Sequence, residues 1–288
     1  MDEKINVTYI TLDGFVEIDK YRYVYFYIMF IVYLLIICCN STILYLICIH
    51  QNLHEPMYIF IAALLLNCAL YSTVVYPKYL IDFLSEKQVI SYSASGSEFF
   101  LLAAMAYDRY VAICKPLQYP TIMRKKTVSI FLFIAWLVPV FHITIPAIGS
   151  AKAKLCSFYL NETFCNNRIS TLQCLRSKFI AVFGFVCMLD LGILPLLFIL
   201  YTYTKIFLMS YRSCKEIRKK AAETCLPHLS VLISFSCLGV YDVVITRVES
   251  DFPKTARLIM TLQLALQSCE KTQIKIGIFL SKQILFFL

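Results

Sequence analysis

The sequence predicts an all-α membrane protein, on the basis of its composition and of one recurring pattern. Of its 288 residues, 60% are hydrophobic and only 16% are charged, and the mean hydropathy is +0.72. Soluble domains contain fewer apolar and more charged residues. The pattern is a series of long apolar runs, one of which is interrupted by Asp190. A helix crosses the hydrocarbon core with about 20 mostly apolar residues, and several of these runs reach that length.

Five apolar runs each predict one spanning helix. They are residues 24–49, 57–77, 127–151, 179–204 and 224–241. As a helix, the first run would extend about 39 Å, which exceeds the hydrocarbon core of roughly 30 Å. The loops between the runs are short, so we expect a single helical domain at 24–270. An amino-terminal segment, 1–23, precedes this domain, and a carboxy-terminal tail, 271–288, follows it.

Basic residues predict the orientation of the chain. Lys115, Arg124, Lys125 and Lys126 cluster in one loop, and a second basic cluster lies at 205–220. Cytoplasmic loops carry an excess of lysine and arginine, so we expect a multi-pass plasma-membrane protein with an extracellular amino terminus. No apolar leader opens the sequence, so the first span is expected to direct insertion. These loops account for the net charge of +9, and nucleic-acid binding is not expected.

The segments expected outside the cell carry two kinds of modifiable residue. Asn6 and Asn161 each begin a glycosylation sequon. Cys156, Cys165 and Cys174 lie in one polar segment, and disulfides persist in the oxidising extracellular environment. Because these cysteines are odd in number, one of them must stay unpaired within this loop.

An adjacent acid and base mark the inner end of an apolar helix, where Asp108 precedes Arg109. Charges are costly at that depth unless they are paired or reach the interface. Such a pair is typical of a switch, because Arg109 is released when the carboxylate is protonated or when the helices part. The alternative is that both residues only anchor the helix at the lipid headgroups.

Four strings resemble the signature of olfactory receptors. They are MAYDRYVAICKPLQYP at 105–120, LHEPMY at 53–58, YPK at 76–78 and KAAETCLPHL at 220–229. The resemblance runs from about residue 24 to about residue 267, and the strings look most like the odorant receptors of fish. It implies a seven-transmembrane-helix bundle that binds a small odorant from outside the cell. It also implies coupling to a heterotrimeric G protein of the stimulatory olfactory type.

The same resemblance assigns roles to individual residues. The G-protein switch would comprise Asp108, Arg109 and Tyr110, and the inner end of the sixth helix would contain Lys220, Thr224, Pro227 and His228. In the family, the outer two loop cysteines pair with each other, which implies a disulfide between Cys156 and Cys174. Cys165 would pair with a cysteine at the outer end of the third helix, but this sequence has none there.

An odorant pocket is expected between the outer halves of the third, fifth and sixth helices. The candidate lining residues are Met105, Phe183, Val186, Tyr241 and Val244. Ordinary packing in the core or against lipid is the alternative role for each of these side chains.

Two helices of the family pattern are expected to be truncated. Only residues 88–107 separate Lys87 from Asp108, too few for both an outer loop and a helix of about 20 residues. The seventh helix is represented by an apolar run at 258–269 that ends at Glu270, with no Asn-Pro-x-x-Tyr string after it. The alternative function is therefore a non-signalling pseudogene or mis-spliced product retained in the endoplasmic reticulum. Glu98 and Lys271 are further charges expected to hinder insertion.

A membrane enzyme or transporter is the third hypothesis, from a different class. Either would need a cluster of ionisable groups or metal ligands within the spans. Asp190 and His142 are the deep candidates, and two residues are too few for such a cluster. The histidines show no ligand spacing, so neither an enzyme, a cofactor nor a metal site is expected.

Overall fold

The computed structural model describes residues 11–12, 18–84, 97–151, 159–160 and 178–211, together with residues 219, 225, 226, 229, 230, 232, 233, 236 and 237. Seven α-helices, α1 to α7, lie in the described ranges. Two short strands, β1 at Thr11–Leu12 and β2 at Tyr159–Leu160, pair in parallel, with Thr11 opposite Tyr159. This two-residue ladder is the only departure from helix and turn among the regular elements described.

The first two helices form an antiparallel hairpin. α1 spans Ile18–Ile49 and α2 spans Pro56–Leu84, with a 3₁₀ turn at Gln51–Leu53 between them. Pro56 opens α2 because its ring fixes a helical φ and its missing amide proton is not needed there. Aromatic rings then hold the two helices together, with Tyr33 stacked on Tyr76 at 5.8 Å between ring centroids. The result is a packed pair that runs the full length of both spans.

The third helix, α3 at Ser97–Cys114, lies at the centre of the described bundle. It packs against α2, against α5 at Lys125–Ala151 and against α7 at Leu194–Tyr211. Its buried side chains include Leu101, Met105 and Val111, all of which belong to the main apolar core. At 18 residues it is about 27 Å long, against about 44 Å for the 29 residues of α2.

Two shorter helices complete the described fold. α4 at Tyr119–Ile122 follows a 3₁₀ turn at Pro116–Gln118 and leads into α5. α6 at Lys178–Met188 continues into α7 through a single π-helical turn at Leu189–Ile193. α6, the π turn and α7 therefore form one nearly continuous span.

Four helical segments are long and apolar enough to cross a membrane. They are Lys20–Ile49, Pro56–Ile81, Lys125–His142 and Val182–Tyr211. These segments correspond to the first four apolar runs of the sequence, so those four predicted spans are confirmed. Their outward faces carry large exposed apolar side chains such as Leu35, Phe133 and Phe207, as lipid-facing surfaces do. The fifth run is described only at isolated residues, and the seventh helix lies outside the described residues.

The start of α3 explains how the chain accommodates Glu98. Its carboxylate is buried, and Oε1 accepts a hydrogen bond of 2.8 Å from Nδ2 of Asn67 on α2. The Ser97 hydroxyl donates to Oδ1 of the same asparagine at 2.7 Å. A buried acidic group is tolerated when it is hydrogen-bonded, so Glu98 joins α3 to α2 instead of interrupting the helix. The segment just before it, 88–96, lies outside the described residues, and the truncation of α3 stays a prediction.

The described cysteines are free thiols, with one exception. Cys38, Cys39, Cys48 and Cys187 are among the free thiols on the spans, where a thiol acts as a small apolar group. Cys68, halfway along α2, is disulfide-bonded. The three loop cysteines, Cys156, Cys165 and Cys174, lie outside the described residues, and so do the two sequon asparagines, Asn6 and Asn161.

Candidate functional site

A cluster of three polar side chains lies at the inner end of α3, and we call it the inner polar cluster. Its centre is Asp108, whose side chain is 0% exposed. Oδ2 accepts hydrogen bonds from Nη2 of Arg109 at 2.6 Å and from Nε at 3.1 Å. Oδ1 accepts one from the Tyr119 hydroxyl at 2.8 Å. Both carboxylate oxygens are therefore occupied by donors, as a fully buried charge requires.

Local sequence explains how these side chains meet. Asp108 and Arg109 are neighbours on α3, so the guanidinium folds back along the helix onto the preceding carboxylate. The turn at Pro116–Gln118 then brings the chain back beneath the helix. Pro120 occupies the first turn of α4, next to Tyr119, whose side chain reaches Asp108 from below. The turn and α4 together position Tyr119 for its hydrogen bond to the Asp108 carboxylate.

The electrostatics favour a protonated Tyr119. Burial raises the pKa of the Tyr119 hydroxyl well above its ordinary value near 10, and the negative charge of Asp108 and the hydrogen bond to it raise this pKa further. The tyrosine therefore remains a hydrogen-bond donor to the carboxylate throughout the neutral and mildly alkaline range.

Arg109 also lies where several helices converge. Its side chain is 13% exposed, and its positive charge reaches Tyr58 on α2, Tyr203 on α7 and Cys225 in the sixth-helix segment. Tyr110, the third predicted switch residue, is half-buried, and its ring lies 6.4 Å from that of Tyr107. An ion pair at a junction of helices can separate when those helices move. The arrangement suits a conformational switch.

Several predicted site residues cannot be placed against this cluster. Lys220, Thr224, Pro227 and His228 of the sixth helix lie outside the described residues, and so do Tyr241 and Val244 of the odorant pocket. Their neighbour Cys225 is described and is buried in the main core. The inner end of the sixth helix thus remains a prediction.

A cavity of about 620 Å³ opens between α3, α5 and the span formed by α6 and α7. Its lining is apolar and aromatic except at one end, and comprises Phe100, Ala103, Ala104, Tyr107, Phe131, Ile134, Val138, His142, Asp190, Leu194, Pro195 and Phe198. This volume lies in the range of pockets that hold small organic ligands.

The three described candidates for the odorant pocket, Met105, Phe183 and Val186, do not line this cavity. Met105 is only 1% exposed and packs in the main core. The ring of Phe183 lies 6.0 Å from that of His142, which does line the cavity. Val186 is exposed on the outer face of α6. These three residues stay candidates for an odorant pocket, whereas the cavity itself was not predicted.

The polar end of the cavity is formed by His142 and Asp190, the two deep ionisable residues of the sequence. The structure brings them together, with 3.3 Å between His142 Nε2 and Asp190 Oδ2. They come from α5 and from the π turn before α7, 48 positions apart in the chain. Sequence reasoning identified both residues but had no means of pairing them.

Comparison with known proteins settles the family. The family model for olfactory receptors matches residues 29–268. The chain belongs to the olfactory receptor family. It is 33% identical to mouse olfactory receptor 4B13 over 257 residues, which cover 84% of this chain and 83% of the relative. Human olfactory receptor 6C1 is 32% identical over 259 residues, covering 84% and 82%, and dog olfactory receptor-like protein OLF4 is 32% identical over 245 residues, covering 79% of each.

Membership confirms the resemblance that the four strings carry. Olfactory receptors are G-protein-coupled receptors with seven-helix bundles, so this chain is a multi-pass membrane receptor and not an enzyme. The matched region contains the inner polar cluster and the cavity. Nothing in the comparisons bears on the likeness to fish receptors, which stays a prediction.

Sequence reasoning missed two sets of contacts in this olfactory receptor. Tyr119 lies within the quoted signature string, 11 positions after Asp108, but its bond to that carboxylate depends on the turn between them. Tyr107, Phe131 and Phe198 meet as three rings at the inner end of the cavity, with Tyr107 lying 5.6 Å from Phe131 and 6.3 Å from Phe198. Aromatic residues in an apolar run give no signal of which rings will meet.

Proposed function

We propose that this olfactory receptor binds a small odorant from the extracellular side and activates a heterotrimeric G protein of the stimulatory olfactory type. The observation that carries the proposal is the closed inner polar cluster. Asp108 holds Arg109 at 2.6 Å at the inner end of α3, within a chain that matches the olfactory receptor family along most of its length. A buried, releasable guanidinium is a suitable contact for a cytoplasmic protein.

Activation follows from the geometry of this cluster. When an odorant changes the packing of the outer helix halves, the inner ends part and Arg109 leaves Asp108. The carboxylate then keeps its bond to Tyr119, which limits the cost of the open state because one of its oxygens stays hydrogen-bonded. The freed guanidinium and the sixth-helix residues Lys220, Thr224, Pro227 and His228 form the surface for the G protein.

The odorant pocket is proposed between the outer halves of the third, fifth and sixth helices. Met105, Phe183, Val186, Tyr241 and Val244 are its candidate lining residues. The support for this placement is the apolar character of these side chains and the depth of Met105 within the bundle.

The receptor lies in the plasma membrane with its amino terminus outside the cell. The support is the positive charge of the segment that follows α3, which contains Lys115, Arg124 and Lys125. Glycosylation at Asn6 and Asn161 would then occur in the endoplasmic reticulum lumen. Removal of glycans from the expressed protein by an endoglycosidase, with and without each sequon asparagine replaced by glutamine, tests this topology.

The decisive experiment combines surface staining with a cyclic-AMP reporter. Cells expressing an amino-terminally tagged chain and an olfactory stimulatory G protein are exposed to a panel of aliphatic aldehydes, ketones and amines. We expect a concentration-dependent response to at least one compound, abolished in Arg109→Ala. Tyr45→Phe, an exposed position on α1, is the matched control and should respond like the wild type.

The alternative proposal rests on the described length of α3. From Ser97 to Cys114 it is about 27 Å long, slightly less than the hydrocarbon core of roughly 30 Å, whereas α2 and α5 are longer. In this alternative the chain is a non-signalling pseudogene or mis-spliced product retained in the endoplasmic reticulum. Surface staining separates the two proposals, since retention predicts intracellular protein with immature glycans and no response to any odorant.

A further inference from the structure

The pair formed by His142 and Asp190 lies outside the inner polar cluster. Both residues belong to segments that are apolar enough to cross the membrane. Ionisable side chains at such depth are costly and usually mark a functional site. The backbone around Asp190 supports this interpretation, because the aspartate lies in the π-helical turn at Leu189–Ile193. Single π turns within α-helices are frequent at functional sites.

The hydrogen bonds of the histidine show what the pair offers to a ligand. His142 Nδ1 lies 2.9 Å from the Val138 carbonyl oxygen, which can only accept, so Nδ1 carries a proton. Nε2 faces Asp190 Oδ2. Both ring nitrogens are thus engaged. Within the described part of the chain, Asp190 Oδ1 has no donor, and the aspartate side chain is 41% exposed against 17% for the histidine. The group left for a ligand is a carboxylate oxygen.

The opposite end of the cavity is a floor of three rings, Tyr107, Phe131 and Phe198, which we call the aromatic floor. Along α5, the helix rise places His142 about 16 Å from Phe131. The cavity is therefore elongated, with one polar end and one apolar end. Its mouth is bordered by Ile134 and Leu194, which are exposed on the lipid-facing side of the spans.

We propose that this cavity is a second small-molecule site, which takes a protonated alkyl amine from the bilayer. The ammonium group donates to Asp190 Oδ1, and the alkyl chain extends along Leu194 to the aromatic floor. The volume of about 620 Å³ and the length of about 16 Å suit a medium-length chain such as that of decylamine. The ligand lies alongside α3, between α5 and α7.

Charge complementarity favours the amine over ligands that have an alkyl chain of the same length but a different head group. An alkyl amine has a pKa near that of lysine, about 10.4, and is cationic at neutral pH. It meets a carboxylate in apolar surroundings, where a charge-assisted hydrogen bond is strong. Decanol offers only a neutral donor to the same oxygen. Decanoate presents a second anion to the Asp190 carboxylate, which repels it.

The test measures saturable binding of tritiated decylamine to the purified full chain in lipid nanodiscs, with empty nanodiscs as the background. We expect one saturable site in the wild type. Asp190→Asn should weaken the affinity about tenfold or more, because a hydrogen bond to a charged group contributes at least that factor. Unlabelled decanol should compete more weakly than unlabelled decylamine, and decanoate should compete least.

A matched pair of variants separates the cavity from the lipid surface. Leu194 and Leu197 are both exposed leucines on α7, and only Leu194 lines the cavity. Leu194→Trp should abolish saturable binding, whereas Leu197→Trp should leave it unchanged. Ile134→Trp and Ile130→Trp form a second pair on α5 with the same relation to the cavity, in case a variant on α7 does not fold.

The outcomes decide the proposal without reference to signalling. Equal binding in all four tryptophan variants would show that the amine only partitions into lipid, and stronger competition by decanoate would show that the head group is wrong. Either result overturns the site. If the chain binds decylamine but gives no cyclic-AMP response to the odorant panel, the proposed receptor function is contradicted. The amine site is still supported by that result.

Discussion

Two aspartates in the described bundle show how differently one side chain is used. Asp108 is completely buried and accepts three hydrogen bonds, from two nitrogens of Arg109 and from the Tyr119 hydroxyl. Asp190 is 41% exposed and, within the described residues, meets only His142, at 3.3 Å. The Asp108 carboxylate has a donor on each oxygen and no surface open to a ligand. In the described part of the bundle, Asp190 Oδ1 has no donor and lies in an apolar cavity.

This difference indicates a separate role for each carboxylate. A carboxylate with all its bonds satisfied by the protein stabilises one conformation and changes state only when a helix moves. A carboxylate with one open oxygen can respond to a ligand without any movement of the helices. Substitutions at the two positions should therefore differ in their effects on stability and on binding, and four measurements sharpen the comparison.

The largest effect is expected at Asp108. Asp108→Ala leaves the Arg109 guanidinium buried and unpaired, which should lower the free energy of unfolding by about 3–5 kcal/mol. Titration of the purified chain with sodium dodecyl sulfate in mixed micelles measures this change. The double variant Asp108→Ala, Arg109→Ala should recover much of the loss, since no unpaired charge remains. A double variant that is as unstable as the single one would contradict the ion pair.

The next effect is expected at Tyr119. Tyr119→Phe removes one hydrogen bond to a buried charged carboxylate, and should lower the free energy of unfolding by about 1.5–3 kcal/mol. It should also raise basal cyclic-AMP signalling, because the carboxylate that binds Arg109 loses one of its hydrogen bonds. Tyr45→Phe removes an exposed hydroxyl on α1 and should change neither quantity. Unchanged stability in Tyr119→Phe would mean that the hydrogen bond from Tyr119 to Asp108 contributes nothing to the free energy of unfolding.

The pH dependence of this contribution has a definite sign. The pKa of Tyr119 is raised in the folded state, chiefly by burial and then by Asp108, so the unfolded chain loses this proton at a lower pH than the folded chain does. Stability from Tyr119 should thus be constant below about pH 10 and fall as the pH rises further. The difference in unfolding free energy between the wild type and Tyr119→Phe, measured from about pH 8 to about pH 11, checks this. A difference that grows with pH would contradict it.

The sequence predicts the spans well because the membrane makes them a local property. Every backbone group in lipid must be bonded within its own helix, so an uncharged run of sufficient length is already a helix prediction. The structure confirms this for the first four runs. Glu98 was harder to judge from the sequence, since the asparagine that bonds it lies 31 positions earlier, on α2.

The candidate site was predictable to the extent that it is local in sequence. Asp108 and Arg109 are adjacent, and their pairing follows from that adjacency and from the cost of a charge at that depth. The contact of Tyr119 depends on a turn, and the contact of His142 with Asp190 joins residues 48 positions apart on different helices. Such pairings are determined by helix packing, which an apolar run does not specify. The cavity is a product of the same packing.

The smallest effect on stability is expected at Asp190. Its side chain is partly exposed and, in the part of the chain that the structure describes, has a single partner at 3.3 Å, so Asp190→Asn should change the free energy of unfolding by at most about 1 kcal/mol. The amide retains an oxygen and a nitrogen near His142, whose Nδ1 keeps its bond to Val138. The same detergent titration used for Asp108→Ala measures this change. A loss as large as that of Asp108→Ala would show that Asp190 is a structural residue like Asp108, and would remove the contrast between the two carboxylates.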